Sequence, residues 1–182
     1  MRWLAYFILA YVAIGLQIGL GPYVSYRGAA PNIVLLAVVF VGLNAPRDAA
    51  LLGCFLMGVL QDLVTQQPPG LFALSYGLTA MLAVSAHHAV YREHPLTHFL
   101  LVLIGGLLTS AVLLLHAWVH PAGPPSVGPD GTTPLPAIRL SAAVEFTRTV
   151  YTALLAPVVL GLLQRSNRFF AFQPQRRKAR TW

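Results

Sequence analysis

The sequence is poor in charged residues and has a single cysteine. Lysine, arginine, aspartate and glutamate together make up 9% of the 182 residues, whereas soluble globular proteins carry roughly 25%. Cys54 stands alone, which excludes an intramolecular disulfide and a metal cluster built from cysteines. The composition therefore excludes an ordinary soluble domain and a disulfide-stapled scaffold.

Motifs of catalysis and metal binding are also missing. The sequence has no G-x-S-x-G and no glycine-rich phosphate loop. His94 with His98, and His116 with His120, have the i, i+4 spacing of metal ligands. The two pairs lie about 27 Å apart along one predicted helix, and neither has an evident third ligand. We predict no enzyme activity, no metal site and no cofactor.

Apolar residues, by contrast, are abundant and occur in long runs. Hydrophobic residues make up 57% of the chain, and a helix needs about 20 of them in a row to cross the hydrocarbon of a bilayer. The runs predict an all-α integral membrane protein, a bundle of about six transmembrane helices within residues 1–165. The predicted helices are about 3–21, 31–45, 49–65, 71–91, 96–119 and 140–163.

The basic residues predict the orientation of the bundle, because lysine and arginine near helix ends stay on the cytoplasmic side. Arg27 and Arg139 fall on one side of the predicted bundle. Nine basic residues fall on the other side: Arg2, Arg47, Arg92, Arg165, Arg168, Arg176, Arg177, Lys178 and Arg180. We therefore predict that both termini are cytoplasmic, with a basic tail at 166–182. Topology, rather than nucleic-acid binding, then accounts for the net charge of +7.

One connection is much longer than the others. Residues 120–138 are rich in proline and glycine, a composition that favours extended backbone without a packed core. We predict an external loop there.

Three charged residues lie inside predicted spans, where each costs about 2.5–3.5 kcal/mol on insertion scales. Glu145 and Arg148 are three residues apart, so they share a helix face and can pair. Asp62 lies near the end of a helix, where the macrodipole disfavours a carboxylate unless a cation is near. Arg148 or Arg139 is the candidate cation. A role in binding a membrane partner and a role in fixing helix packing both remain open for these charges.

Glycines offer flat surfaces on several predicted helices. Gly15 and Gly19 form a G-x-x-x-G, a spacing that lets two membrane helices approach closely. Gly53, Gly58, Gly105 and Gly106 offer further surfaces of this kind. We expect all of them to serve packing within the chain rather than dimerisation.

An ordered set of residues in the second and third predicted helices resembles the MreD family of bacterial rod shape-determining membrane proteins. The set comprises Pro31-Asn32, Pro46, Gly53, Gly58, Gln61-Asp62 and Pro69-Gly70-Leu71. The last predicted helix is similar to the C-terminal pattern of the same family. The residues that carry this second similarity are Arg148, Tyr151, Ala156, Pro157 and Leu163-Gln164-Arg165.

The resemblance implies a non-enzymatic, multi-pass subunit of the elongation (rod) complex in the bacterial inner membrane, which maintains cell shape during peptidoglycan synthesis. The partners it implies are MreC, RodA, a class B penicillin-binding protein and MreB, together with membrane lipid. Taking the charged residues and the resemblance together, nine residues are candidates for a partner-binding or structural role: Pro31, Gly53, Gly58, Asp62, Gly70, Glu145, Arg148, Tyr151 and Pro157.

A second interpretation is the substrate-binding subunit of an energy-coupling-factor vitamin transporter. Such subunits are also small six-helix proteins, with a pocket near the outer face. The charged residues would then line the pocket. The first helix lacks a clear A-x-x-x-A, the feature those subunits are known for, although Gly15 and Gly19 could pack in a similar way.

Overall fold

The computed structural model describes residues 3–26, 29–65, 68–86, 95–119 and 142–165. These ranges contain six α-helices and no β-strand, which confirms the predicted all-α bundle. The helices are α1 (Trp3–Val24), α2 (Ile33–Asn44), α3 (Arg47–Val64), α4 (Leu71–Ala86), α5 (Pro95–Val119) and α6 (Ala142–Arg165).

The predicted helix limits differ from the observed ones at several ends. The first helix continues three residues further than predicted and includes Pro22. The last part of the predicted fourth helix, the loop at 120–138 and the tail at 166–182 lie outside the described residues. We call the end of the bundle where α1 begins and α6 finishes the terminal end, and the other end the distal end.

Among the described residues, three helices are long and apolar enough to cross a membrane: α1, Leu96–His116 of α5 and Ala143–Arg165 of α6. The apolar helices α2 and α4 are shorter. With 12 residues, α2 is about 18 Å long at 1.5 Å per residue. Because a bilayer core is about 30 Å thick, α2 covers little more than half of it.

The short helix α2 is the centre of the bundle. Ten of its 12 residues are buried, and it contacts each of the other five helices. Its sequence, IVLLAVVFVGLN, is apolar on every side, as a helix without an exposed face requires. The side chains of Leu35 and Phe40 are at most 1% exposed. The other helices are therefore arranged around α2.

Both ends of α2 are hydrogen-bonded by side chains. At its start, the Asn32 carboxamide accepts from the Leu35 N–H at 3.0 Å, and Gln17 of α1 accepts from the Ile33 N–H at 2.6 Å. At its end, the Asn44 carboxamide donates to the Phe40 carbonyl at 2.8 Å. The two bonds at the start satisfy N–H groups that a helix end leaves without a partner. The central helix can thus begin inside protein.

Four of the predicted glycine contacts are confirmed. A β-carbon built on Gly58 would lie 2.4 Å from the Ala73 Cα of α4, which is a backbone atom. A β-carbon on Gly105 or Gly106 would lie 2.6 or 2.7 Å from a threonine methyl of a neighbouring helix, and one on Gly53 would lie 3.1 Å from the Tyr6 ring. Gly58, Gly105 and Gly106 therefore allow helix approaches that a larger residue would prevent, and Gly53 allows the close contact with the Tyr6 ring.

The prediction for the G-x-x-x-G of α1 was wrong. A β-carbon on Gly15 or Gly19 would meet nothing within 4 Å, and both residues are exposed. The buried face of α1 is formed instead by Tyr6, Leu9 and Ala13. Gly15 and Gly19 thus do not pack against other described parts of the chain.

We predict that Gly58→Ala destabilises the bundle, because the added methyl must push the α4 backbone away from α3. The expected loss is about 1–3 kcal/mol, the usual cost of overpacking, measured as a lower thermal unfolding midpoint in detergent. Gly77→Ala on α4 is the matched control, since its methyl would lie 3.8 Å from the Phe55 ring, an ordinary contact. Equal midpoints for the two variants would contradict the prediction.

Candidate functional site

The Asp62 carboxylate caps the start of α4. It accepts hydrogen bonds of 3.0 Å from the backbone N–H groups of Gly70, Phe72 and Ala73. The first N–H groups of a helix lack partners within the helix and carry the positive end of its dipole. A buried carboxylate is well matched to that position, and Asp62 is 6% exposed. Asp62 therefore ties the end of α3 to the start of α4.

Two glycines make this cap possible. Gly58 lies one turn before Asp62 and lets the α3 backbone touch the α4 backbone at Ala73. Gly70 has a φ of +102°, a conformation that residues with a side chain rarely adopt. This conformation belongs to the turn through which Gly70 donates to Asp62. The order Gly58, Asp62, Gly70 thus has a local structural cause.

The expectation that Arg148 or Arg139 compensates Asp62 was wrong for Arg148, and Arg139 lies outside the described residues. Arg148 instead pairs with Glu145, three residues earlier on α6, at 3.1 Å. That pairing was predicted from the spacing and is confirmed. Among the described residues, the hydrogen bonds of Asp62 come from backbone N–H groups. The macrodipole of α3 disfavours a carboxylate at Asp62, but the N–H groups at the start of α4 stabilise it there.

A second polar group, the Asn32 layer, consists of Asn32, Tyr76 of α4 and Thr152 of α6. The Asn32 carboxamide and the Tyr76 hydroxyl are 3.0–3.1 Å apart. The Asn32 N–H donates to the Thr152 hydroxyl at 2.9 Å, and that hydroxyl donates to the Arg148 carbonyl at 2.7 Å. The layer joins the start of α2 to α4 and α6 in the interior of the bundle.

The Glu145–Arg148 pair lies beside this layer. Glu145 is 2% exposed, while the Arg148 side chain is 32% exposed. Both residues line a cavity of about 10 Å³ together with Asn32, Thr149 and Thr152. That volume is about what one water molecule needs. The pair therefore sits at a small polar cavity and not at a large pocket.

Threonines of α4 and α6 fill notches on α5. The Thr79 methyl packs on Gly105, and the Thr149 methyl packs on Gly106. The Thr149 hydroxyl also lies 3.1 Å from the Ser110 hydroxyl. Because the two glycines are adjacent on α5, they face different neighbours. One point on α5 thus fixes its spacing from α4 and from α6.

The remaining predicted site residues have separate positions. Pro31 is buried directly before the Asn32 layer. The Gly53 carbonyl accepts a hydrogen bond from the Tyr6 hydroxyl of α1. Tyr151 lines a shallow apolar groove with Tyr26 and Phe146, and Pro157 lies inside α6. The structure does not bring the nine predicted residues into one site.

Sequence reasoning missed several polar residues that hold the bundle together: Tyr6, Gln17, Tyr76, Thr79, Thr149 and Thr152. Their signal was weak, since single hydroxyl and amide groups in apolar runs are common. A buried polar group in a bilayer must nevertheless find a hydrogen-bond partner. Within the described residues, the buried Gln61 Oε1 is the side-chain atom that has none.

No group of three or more metal-ligating side chains occurs among the described residues. His98 is 3% exposed, and its Nε2 lies 2.9 Å from the Gln164 amide at the terminal end of α6. His94 and His120 lie outside the described residues. Asp62, Asn32, Thr149 and His98 each bond to another helix, whereas Glu145 and Arg148 pair within α6.

Comparison with known proteins identifies the family. The family model of rod shape-determining protein MreD matches residues 1–126. The chain belongs to the MreD family. It is therefore a rod shape-determining membrane protein of bacteria, and that family is structural rather than enzymatic. No curated protein and no solved structure matches the chain.

The MreD match covers α1 to α5 and stops before α6. It includes Pro31, Asp62 and Gly70, and thus the cap on α4 and the Asn32 end of the polar layer. The resemblance that we noted in α6, at Arg148 and Tyr151, lies beyond the matched residues. Partner-binding roles for the site residues stay predictions.

We predict that Asp62→Ala destabilises this MreD-family bundle more than Asp62→Asn does. Alanine leaves three backbone N–H groups without an acceptor, whereas asparagine keeps one acceptor oxygen. Loss of a helix cap costs about 0.5–2 kcal/mol, and the burial of the freed N–H groups adds to it. Thermal unfolding in detergent measures the difference. If Asp62 served partner binding alone, both purified variants would be as stable as the wild type.

We also predict that Thr149→Ser rescues Gly106→Ala. The alanine methyl would lie 2.7 Å from the Thr149 methyl, and serine removes that methyl while keeping the hydroxyl that meets Ser110. A double-mutant cycle on the unfolding midpoint should therefore show coupling between the two sites. Additive effects would mean that the Thr149 methyl does not cause the clash.

Proposed function

We propose that the chain is a non-enzymatic subunit of the elongation (rod) complex in the bacterial inner membrane. It binds MreC, and with MreC it joins RodA, a class B penicillin-binding protein and MreB during peptidoglycan synthesis. The single observation that carries the proposal is the MreD match over residues 1–126. The partners are part of the proposal.

The packing of the polar residues supports a binding subunit rather than a catalyst. Asp62, Asn32 and Thr149 are each paired with another helix of the same chain. The outward faces of α1 and α6 are apolar and weakly packed. In the most apolar stretch of each helix, 28% of the residues are buried. Helices of partner proteins would meet these outward faces.

The membrane topology belongs to the same proposal. We assign six spans, with both termini cytoplasmic and the α3–α4 turn on the outer side. The assignment is supported by the excess of basic residues at the terminal end, where Arg47 is exposed at the start of α3 and Arg165 is exposed at the end of α6. The distal end then faces the compartment in which the cell wall is built.

The vitamin-transporter alternative gains no support from the polar cavity. A pocket that encloses a drug-sized molecule occupies about 300–1,000 Å³, whereas the cavity beside Glu145 and Arg148 has about 10 Å³. Two larger grooves, of about 510 and 260 Å³, are lined almost entirely by apolar side chains. Neither groove contains the charged residues that this alternative places in the pocket.

We predict that the tagged chain, purified from its host in a mild detergent, carries MreC and the wall-synthesis enzymes with it. Gly77→Ala should retain these partners and the rod shape of the cells. Gly58→Ala should lose both, because it separates α3 from α4. Mass spectrometry of the purified material and measurement of cell width are the readouts.

The same purification distinguishes a subunit of the elongation complex from a vitamin-transporter subunit. Recovery of ATP-binding transporter subunits with a bound vitamin, and no change in cell width when the gene is deleted, would contradict the elongation-complex proposal. A wild-type chain that carries neither set of partners would contradict it as well.

A further inference from the structure

An apolar groove runs between α1 and α6. Both helices pack on α2, but a space of about 260 Å³ remains between them. The floor of the groove is α2 at Ile33 and Ala37, and its walls include Val12 of α1 and Val159 of α6. All of its lining residues are apolar. Hydrocarbon is therefore a better occupant of the groove than water.

The length of the groove is about that of one leaflet. The Thr152 hydroxyl of α6 accepts from the Asn32 N–H at the start of α2, and the lining residue Leu163 follows Thr152 by 11 residues. At 1.5 Å per residue, the groove extends about 16 Å from the start of α2 towards the terminal end. One leaflet supplies about half of a hydrocarbon core about 30 Å thick. A single acyl chain that enters from the terminal end would therefore reach Ile33.

The groove is too narrow to admit a helix. Ala37 on its floor and Ala13 on its α1 wall are 2% and 4% exposed, so the neighbouring side chains nearly cover both residues. A helix about 10 Å in diameter would need more than about 1,000 Å³ over the same length, whereas the groove has about 260 Å³. An extended hydrocarbon chain is much thinner than a helix. The groove therefore fits one acyl chain rather than the helix of a partner.

A cation lies at the terminal end of the groove. Arg165 follows the lining residue Leu162 by three residues, so the two side chains are neighbours on one side of α6. Arg165 is exposed, and it forms no ion pair with another described residue. The described carboxylate at this end of the bundle is Asp48, which lies on α3 next to Arg47. The groove thus opens towards a positive charge that is available to an anion.

We propose that this groove binds one anionic phospholipid from the leaflet at the terminal end. One acyl chain lies on α2 between α1 and α6, and Arg165 binds the phosphate. Basic sites between transmembrane helices select anionic headgroups, and a long cationic side chain at a helix end reaches the headgroup level. The lipid joins α1 to α6, which have little contact of their own. The inference rests on the membrane-spanning bundle of the proposed function and on none of its partners.

Native mass spectrometry of the detergent-purified chain tests the acyl-chain part of the site. The chain is titrated with palmitoyl-oleoyl phosphatidylglycerol and, separately, with the phosphatidylcholine that carries the same acyl chains. Val159→Trp fills the groove from its α6 wall. Val158→Trp is the matched control, because Val158 is 71% exposed and does not line the groove. Val12→Trp, on the α1 wall, replaces Val159→Trp should that variant fail to fold.

Two charge variants test the headgroup part of the site. Arg165→Gln removes the cation at the terminal end of the groove. Arg47→Gln removes an exposed cation at the same end of the bundle, on α3, which does not line the groove. We expect the wild type to bind one phosphatidylglycerol several-fold more tightly than phosphatidylcholine. Arg165→Gln should lose most of this preference, and Arg47→Gln should keep it.

We expect Val159→Trp to bind both lipids several-fold more weakly than Val158→Trp does. Equal binding by these two variants would overturn the groove as the site of the acyl chain. A preference for phosphatidylglycerol that persists in Arg165→Gln would overturn the contact between Arg165 and the phosphate. The titration contains the purified chain alone, so neither result bears on the partners. Absence of MreC from the host purification would contradict the proposed function and leave the lipid titration unchanged.

Discussion

A helix with no exposed face can begin inside a membrane only if other segments hydrogen-bond its first N–H groups. In this protein α2 is that helix, and Asn32, with Gln17 of α1, supplies the acceptors. Asn32 is in turn held by Tyr76 and Thr152. The positions of α1, α4 and α6 are therefore fixed at one level of the bundle. Contacts elsewhere, including those of Glu145 and Arg148, are arranged around that level.

The sequence predicts the class of fold well, because the bilayer imposes a simple rule on it. Apolar runs near the length of a membrane crossing must be helices, since no other segment can satisfy its own backbone in lipid. The Glu145–Arg148 pair was equally predictable, because both partners lie on one turn of one helix. In each of these cases the deciding interaction is local in the chain.

Interactions between distant segments were not predictable in the same way. The partner of Asp62 is the backbone at the start of the next helix. Backbone N–H groups are present at every helix start, so the sequence does not mark this one as the partner. The central position of α2 could have been inferred from its sequence, which is apolar on every side. Gly15 is exposed although it belongs to a G-x-x-x-G. The motif alone does not say whether another helix packs against it. The packing of threonine methyls against Gly105 and Gly106 depends on the register between helices. The sequence of one helix alone does not determine that register.

The dependence of Asp62 on α4 has a consequence for biogenesis. Asp62 lies near the end of α3, and among the described residues its carboxylate oxygens find their donors at Gly70, Phe72 and Ala73. Those donors emerge from the ribosome after α3. The cap on Asp62 can therefore form only after α4 has been made, and the α3–α4 hairpin is the smallest unit in which this carboxylate has its hydrogen bonds.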